Sequence, residues 1–515
     1  VGININRSLI TGFVKELNIQ AMKKSGSHSI ELKKVNSFLK NSFLPCLSFL
    51  VIVFASALLT SCGVGKKNTP APEIVTPAGT KVYNPKTGRY EFPTEVTGEM
   101  DTVQWTDAGA AANDPIGSDS TQYLEGEPGI PDPNAGNNGT GILATYNVAI
   151  MIPFNADKVN TLEGGIHSSS IPSLHFYGGA KLALDELAKE GANFNVSVMD
   201  TKRSETETSS ILNRSALLNA HLIIGPYSSK PLEKVANFAK ANQKTLISPV
   251  NTSRNITTEN PFYLQANPSL QSHCEAIMKH ALRQYSADQI VLVVRDKRAE
   301  VNRLKYFQDT YKLISGIGAA PLREYRIDPV VAQEFGELEL SPYIKEDQTT
   351  VFIVPSYSNE TFVSNLMRQV EIAKGRNDVV MYGMPRWMEF ERISLDYFEN
   401  LQLHVSSANF VDKENLKIKE FMIKFYESYG SLPKEDAFQG YDLTLYTGRQ
   451  LMKHGVNFKD VIDTEGAQML SIKFEFERLV TPEDAANERF DKIDYIENKY
   501  VNILKFEDYH FQKVN

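Results

Sequence analysis

Cysteine is almost absent from this chain: Cys46, Cys62 and Cys274 are the only three in 515 residues. So few thiols exclude a disulfide-framed scaffold, and a fold of this size must be held by its core. Positive charge is also in short supply, with 54 Lys and Arg against 62 Asp and Glu and a net charge of −8. That balance argues against nucleic acid and anionic lipid headgroups as partners. Catalytic signatures are missing too. There is no Gly-x-Ser-x-Gly, no His-Glu-x-x-His and no P-loop. Gly316-Ile317-Gly318 follows a helical pattern instead of a strand, so it is a poor dinucleotide fingerprint. His167 and His175 flank a Ser-rich loop without a Cys or carboxylate at metal-ligand spacing, and read as loop and helix-face residues. No enzyme activity, cofactor or metal is expected.

Long apolar runs are confined to Phe43–Leu59, which is short for a membrane span and follows a basic region containing Lys23, Lys24, Lys33, Lys34 and Lys40. The run ends in Leu59-Thr60-Ser61-Cys62, which resembles the lipobox of bacterial lipoproteins. Residues 1–61 are therefore expected to be upstream sequence and a signal peptide, with Cys62 lipidated. The alternative is a signal anchor with an incidental Cys. Those 61 residues hold seven basic and two acidic side chains, so the remainder is still more acidic. Cys274 is then the one thiol left, expected to be buried and structural.

Residues 62–144 are predicted to be a disordered tether, since Gly63–Thr140 carries nine of the 24 prolines and eleven of the 31 glycines. Within it, Lys81–Trp105 reads either as unstructured linker or as a small β element or docking strip. Asp101-Thr102-Val103 and Asp119-Ser120-Thr121 resemble short O-glycosylation motifs. From Tyr146 onward, near-continuously apolar strands alternate with helical spacing. Strands are predicted at 148–152, 195–199, 222–224, 245–247, 289–294, 322–327, 350–354, 379–382 and 401–405. The pattern predicts helices at 173–190, 205–218, 231–241, 270–285, 300–314, 360–373, 413–429 and 435–454. This argues for parallel sheets covered on both faces, in two series of comparable length. The tail from Leu470 reads as three antiparallel strands.

Two of these strands end in turns rich in Gly, Pro and hydroxyl residues: Gly225-Pro226-Tyr227-Ser228-Ser229 and Ser248-Pro249-Val250-Asn251-Thr252. In an open α/β sheet, ligands sit at the carboxyl ends of the strands, where backbone N–H groups and hydroxyls can hold an anion. With Pro261–Ser269, Phe421–Gly430 and Phe438-Gln439-Gly440-Tyr441-Asp442, these blocks resemble the type I periplasmic binding proteins of the leucine/isoleucine/valine-binding group, the substrate-binding proteins of ABC transporters. Phe176-Tyr177-Gly178-Gly179-Ala180 further resembles a branch found in Bacteroidetes envelope lipoproteins.

The resemblance implies an α/β clamshell of two Rossmann-like lobes, 145–267 with 410–466 and 268–409 with 467–515. Three crossovers would join them near 266–269, 406–411 and 465–470. It implies a ligand in the cleft, hinge closure, and contacts from Ser228 or Ser229, Val250 and Thr252. Tyr227 and Asn251 lie in the same turns; Tyr227 offers a ring for stacking or packs against the hinge. Ser168-Ser169-Ser170 either touches a ligand or is plain loop. Amino-acid-binding members place a carboxylate after the strand at 379–382, whereas this chain has Gly383-Met384-Pro385-Arg386-Trp387. Arg386 would suit an anionic ligand and Trp387 a sugar or ring; the alternatives are a surface Arg and a hinge-packing Trp.

The function expected is a lipid-anchored envelope protein binding a small molecule non-covalently, for ABC-type import through a permease. The alternative is a scaffold or regulator, for example of peptidoglycan synthesis, with a vestigial cleft and a cell-wall protein as partner. Gly63, where an inner-membrane-retaining Asp would stand, favours the outer membrane.

Overall fold

The computed structural model describes residues 141–515 apart from 159–165, 317, 334–335, 488 and 491, together with 82–84 and 89–91. The expected signal peptide, Cys62 and both glycosylation-like motifs lie outside the described residues. In the 31–132 unit, β1 (Val82–Asn84) and β2 (Arg89–Glu91) pair antiparallel, so the Lys81–Trp105 stretch does contain a β element.

In the larger unit the chain first runs β3 (Tyr146–Ile152), α1 (Ile171–Lys189), β4 (Phe194–Asp200), α2 (Glu205–Ile211), α3 (Ser215–Leu218), β5 (Leu222–Ile224), α4 (Ser229–Asn242), β6 (Thr245–Ser248) and β7 (Tyr263–Gln265). The helix predicted over 205–218 is split because Arg214 is extended, with ψ 138°. A second series follows: α5 (Leu270–Gln284), β8 (Ile290–Arg295), α6 (Arg298–Ser315), β9 (Arg323–Ile327), α7 (Pro329–Gln333), β10 (Thr350–Ile353), α8 (Glu360–Lys374), β11 (Val379–Gly383), α9 (Leu395–Asn400) and β12 (His404–Ser407). The remainder is α10 (Leu416–Tyr429), α11 (Glu435–His454), β13 (Ala467–Gln468), β14 (Lys473–Phe474), β15 (Phe476–Leu479), α12 (Pro482–Ala486), β16 (Tyr495–Asn498), β17 (Asn502–Glu507) and β18 (His510–Lys513).

Fourteen of these strands build two seven-stranded sheets, ordered β15-β16-β7-β6-β5-β3-β4 and β18-β17-β12-β11-β10-β8-β9, and β13 and β14 pair separately. In each, the first strand of the series is flanked by the second on one side and the third on the other, the doubly wound order. The topological switch points therefore lie between β3 and β5 and between β8 and β10. Helices cover both faces, as near-continuous apolar strands such as Ile290–Val294 require. Cys274 is buried in the core of the second lobe.

The tail departs from the expectation that 467–515 lies in the second lobe. β15 and β16 complete the first sheet, with β16 parallel to β7, and only β17 and β18 extend the second. Phe474 and Phe476 stack with Tyr446 of α11 and so anchor this part of the tail in the first core. The third crossing consequently falls between β16 and β17, at Lys499–Val501, and not at 465–470.

Helices α1 and α11 meet backbone to backbone. A Cβ on Gly179 would lie 1.9 Å from the Ala437 carbonyl oxygen, and one on Gly440 would lie 1.9 Å from that of Phe176. Glycine in a helix interior normally costs about 1 kcal/mol relative to alanine. Here the sign reverses: Gly440→Ala is expected to destabilise the protein by about 1–3 kcal/mol through overpacking. A lowered urea midpoint would show it, and an unchanged or raised one would refute the close contact.

Candidate hinge and ligand site

The turn after β5 sits at the first lobe's switch point. Gly225 has φ +96°, and a Cβ there would lie 2.0 Å from the carbonyl oxygen of Met151 on β3, so only glycine lets the chain turn this closely past its neighbour. The turn delivers Tyr227, whose ring packs edge-on against Phe176 at 5.7 Å. Ser228 follows as the N-cap of α4 and Ser229 is its exposed first residue.

The three crossings lie side by side and are stitched by buried polar groups. Glu497, fully buried on β16, accepts hydrogen bonds from the Ser269 N–H (2.9 Å), the Ser272 hydroxyl (2.5 Å) and the Tyr495 hydroxyl (2.9 Å). Asn498 donates to the carbonyls of Ala266 and Lys473. These bonds join the first crossing to the third. The second is paired with the segment 470–472: Phe410 N–H donates to Ser471 O at 2.8 Å, and Asn409 bridges Ile472. Asp442 of α11 holds that segment by accepting from the N–H groups of Leu470, Ser471 and Ile472 and from the Ser471 hydroxyl, at 2.7–3.0 Å. Burial pushes its carboxyl up to about 6, opposed by those same bonds.

Between the crossings lies a cavity of about 220 Å³ lined by Val250, Asn267, Asn409, Glu435, Asp436 and Gln439, among others. An open groove of about 930 Å³ shares Asn409 and Glu435 with it and runs between Met388 of the second lobe and Phe438 of the first. At or just beyond strand ends several buried polar atoms have no protein partner, although their residues do not line these cavities: the Tyr227 hydroxyl, Asn251 Nδ2, Gln265 Nε2 and Ser406 Oγ, with Asn155 Oδ1 and Ser170 Oγ near the end of β3 and the start of α1. Most of them stand at carboxyl ends of strands. Buried polar groups are normally satisfied, so such a concentration marks a place where water or ligand completes the bonding.

The second lobe differs at its own switch point, which is filled by its own side chains. Arg295 and Glu300 form a buried ion pair, Ser356 donates to Glu300 at 3.1 Å, and Arg295 lies over the Phe362 ring at 5.0 Å. Trp387 closes the arrangement: its indole packs over Gly383, and its Nε1 donates to the Ser356 carbonyl at 2.7 Å.

The expected site residues thus divide. Val250 lines the cavity, Asn251 is buried with a free Nδ2, and Tyr227 presents a buried hydroxyl. Thr252 is exposed. Trp387 has no exposed surface and its donor is used, so it is a core residue and no stacking platform. Arg386 is exposed and paired with Glu389 at 3.4 Å. Sequence reasoning missed Asp436, Gln265 and Asn267; only the positions of 265 and 267 beside the first crossing pointed to them.

This architecture is the two-lobed fold of the type I periplasmic binding proteins. A family model described as the receptor family ligand binding region matches residues 176–446, and the chain belongs to that family. Among solved structures it is similar to one described as a branched-chain amino acid ABC transporter from Rhodospirillum rubrum, with 13% identity over 72% of this chain and 100% of that one and a TM-score of 0.52. It also matches an ABC transporter substrate-binding protein from Desulfitobacterium hafniense in complex with Leu, with 14% identity, the same coverage and a TM-score of 0.46. A leucine-binding protein from Thermotoga maritima matches at 15% identity over 72% of this chain and 98% of that one, with a TM-score of 0.43. No curated protein matches the sequence.

Proposed function

We propose that this protein is a solute-binding protein of the cell envelope that holds a small molecule non-covalently between its lobes and delivers it to an ABC-type permease. The observation that carries this reading is the polar-lined cavity between the crossings, in a fold whose first lobe leaves buried polar atoms unpartnered at its strand ends. Nothing in the reading requires chemistry on the ligand. Among the described residues, no group of three His, Cys, Asp or Glu side chains is placed to hold a metal ion. A lipid on Cys62 would tether the protein to a membrane, the outer one by the reading of Gly63.

Thermal-shift screening of the full chain against amino acids, peptides, sugars and nucleotides tests the reading. At least one class is expected to raise the melting temperature, and silence across the whole library would refute solute binding. The self-filled switch point of the second lobe favours a second reading, a scaffold with a reduced cleft. Crosslinking in whole cells separates the two: capture of a permease supports import, and capture of a cell-wall synthase supports scaffolding. Metabolic labelling with a fatty-acid probe tests the anchor, since Cys62→Ser should abolish incorporation.

A further inference from the structure

Seven side chains around the first and third crossings form one closed circle of polar contacts. Arg254, in the loop between β6 and β7 of the first lobe, donates its Nε to the Tyr495 hydroxyl at 3.2 Å. That hydroxyl donates to Glu497 at 2.9 Å, and Glu497 also accepts from the Ser272 hydroxyl at 2.5 Å. Ser272 in turn accepts from the Lys499 ammonium at 2.6 Å, and Lys499 pairs with Glu275 at 3.1 Å. Glu275 accepts from Gln271 Nε2 at 2.7 Å. The side-chain oxygen of Gln271 accepts from the Arg254 guanidinium and closes the circle.

Each hydroxyl in the circle accepts one bond and donates another, and every path runs from one of two cations to one of two carboxylates. The circle is therefore neutral as a whole. That is what lets four charges stand where Tyr495, Glu497 and Ser272 are at most 2% exposed. Bonds linked in this way polarise one another, so they act as a unit. The members come from both lobes. Arg254, Tyr495 and Glu497 belong to the first, and Gln271, Ser272 and Glu275 to α5, the opening helix of the second. Lys499 lies on the third crossing. Helix α5 is built into the second core through Cys274, Ile277 and Met278, so the circle fastens one lobe to the other. The second crossing is held differently, by the backbone contacts of Asn409 and Phe410 with Ile472 and Ser471.

We propose that this circle is a fixed pivot between the lobes, kept closed by Arg254, so that the lobes turn about the first and third crossings while the second is displaced. The device belongs to the empty protein and stands apart from the solute-binding reading. Arg254 is its releasable member. It is the one residue of the circle carried on a loop of the first lobe, and it reaches Tyr495 and Gln271 with two different nitrogens. A lysine there offers a single ammonium and cannot match that fork. Without Arg254, Tyr495 and Gln271 each lose a donor, and the first turn of α5 keeps only its bonds to Glu497 and Lys499.

Hydrogen exchange on the full chain, with no solute added, is the first test. In the wild type, amides at 269–275 and 497–499 are expected to exchange about tenfold or more slowly than those at 408–411. Equal rates would overturn the pivot, and this comparison survives a variant that fails to fold. Arg254→Leu should speed exchange at 269–275 about tenfold, as loss of a charge-assisted bond does, and leave 146–152 and 290–294 unchanged. Gln271→Leu opens the same circle, so the double variant should exchange little faster than either single one; additive effects would overturn a closed circle. Nitroxides at Thr206→Cys and Val330→Cys, in a Cys46→Ser, Cys62→Ser background, report the lobes themselves. Both positions are exposed beside β4 and β9, the sheet edges farthest from the crossings. Arg254→Leu is expected to broaden the distribution of distances between them. An unchanged distribution alongside faster exchange at 269–275 would overturn the pivot and leave the circle as local support for α5.

Discussion

Replacing Glu300 with alanine is expected to destabilise the second lobe by about 3–5 kcal/mol, the usual cost of stranding one member of a buried ion pair. Glu300 accepts from the Arg295 backbone N–H at 3.0 Å, from its Nε at 3.0 Å and from its terminal guanidinium nitrogen, as well as from Ser356. Truncation removes all four at once. Arg295 is only 9% exposed and has no second carboxylate within 4.0 Å among the described residues, so its charge would remain desolvated and unpaired. Urea unfolding monitored by fluorescence in a Trp105→Phe background, where Trp387 is the one remaining indole, reads this lobe. A loss below about 1 kcal/mol would mean that water already reaches the pair. Replacing both partners, as Arg295→Met with Glu300→Leu, should recover most of the loss, because exchanging a buried pair for apolar side chains of similar volume is often neutral.

The same pair decides what the second lobe can do. Its switch point, where an open sheet usually receives a ligand, is occupied by Arg295, Glu300, Ser356 and Trp387. The first lobe leaves Tyr227 and Asn251 incompletely bonded at the equivalent place. On the proposed solute-binding reading, recognition is weighted towards the first lobe. Under this division the Arg295→Met, Glu300→Leu protein should bind its solute as the wild type does.

Much of this was legible in the sequence. Apolar strands such as Ile290–Val294 and Val379–Tyr382 admit no burial pattern except two covered faces. Gly225-Pro226 announced a tight turn, whereas the close contacts of Gly179 and Gly440 could not be read locally. The destination of the tail was hidden for a related reason. Tyr495–Asn498 and Asn502–Glu507 are both short, partly apolar strands, and a turn of three residues between them changes sheets. No local pattern names the partner of a strand. The choice left open for Trp387, stacking platform or packed side chain, depended on room made by Gly383 and on an acceptor, the Ser356 carbonyl, 31 residues away. Asp436 escaped notice because an acidic residue in a first helical turn is ordinary on dipole grounds. Only the third dimension shows it facing the crossings without a cation.

Asp442 gives the hinge its most exposed point of failure. Asp442→Ala would leave the N–H groups of Leu470, Ser471 and Ile472 without acceptors in a largely dry place. With roughly 1–3 kcal/mol for each stranded donor, offset by relief of the carboxylate's own desolvation, the net loss should be about 3 kcal/mol. Asp442→Asn should lose less, because its amide oxygen at the Oδ2 position can still accept from Ser471 and Ile472 while its amide nitrogen faces only the Leu470 N–H. The consequence reaches the cavity, because the freed segment includes Ile472, which lines it and pairs with Asn409 of the second crossing. Hydrogen exchange should therefore rise first at 408–411 and 470–472, before the sheets are affected, and solute affinity should fall in parallel. If exchange instead rose uniformly across both lobes, Asp442 would be supporting the α11 core and not the crossing. If it stayed unchanged, the segment would be held by its pairing with Asn409 alone.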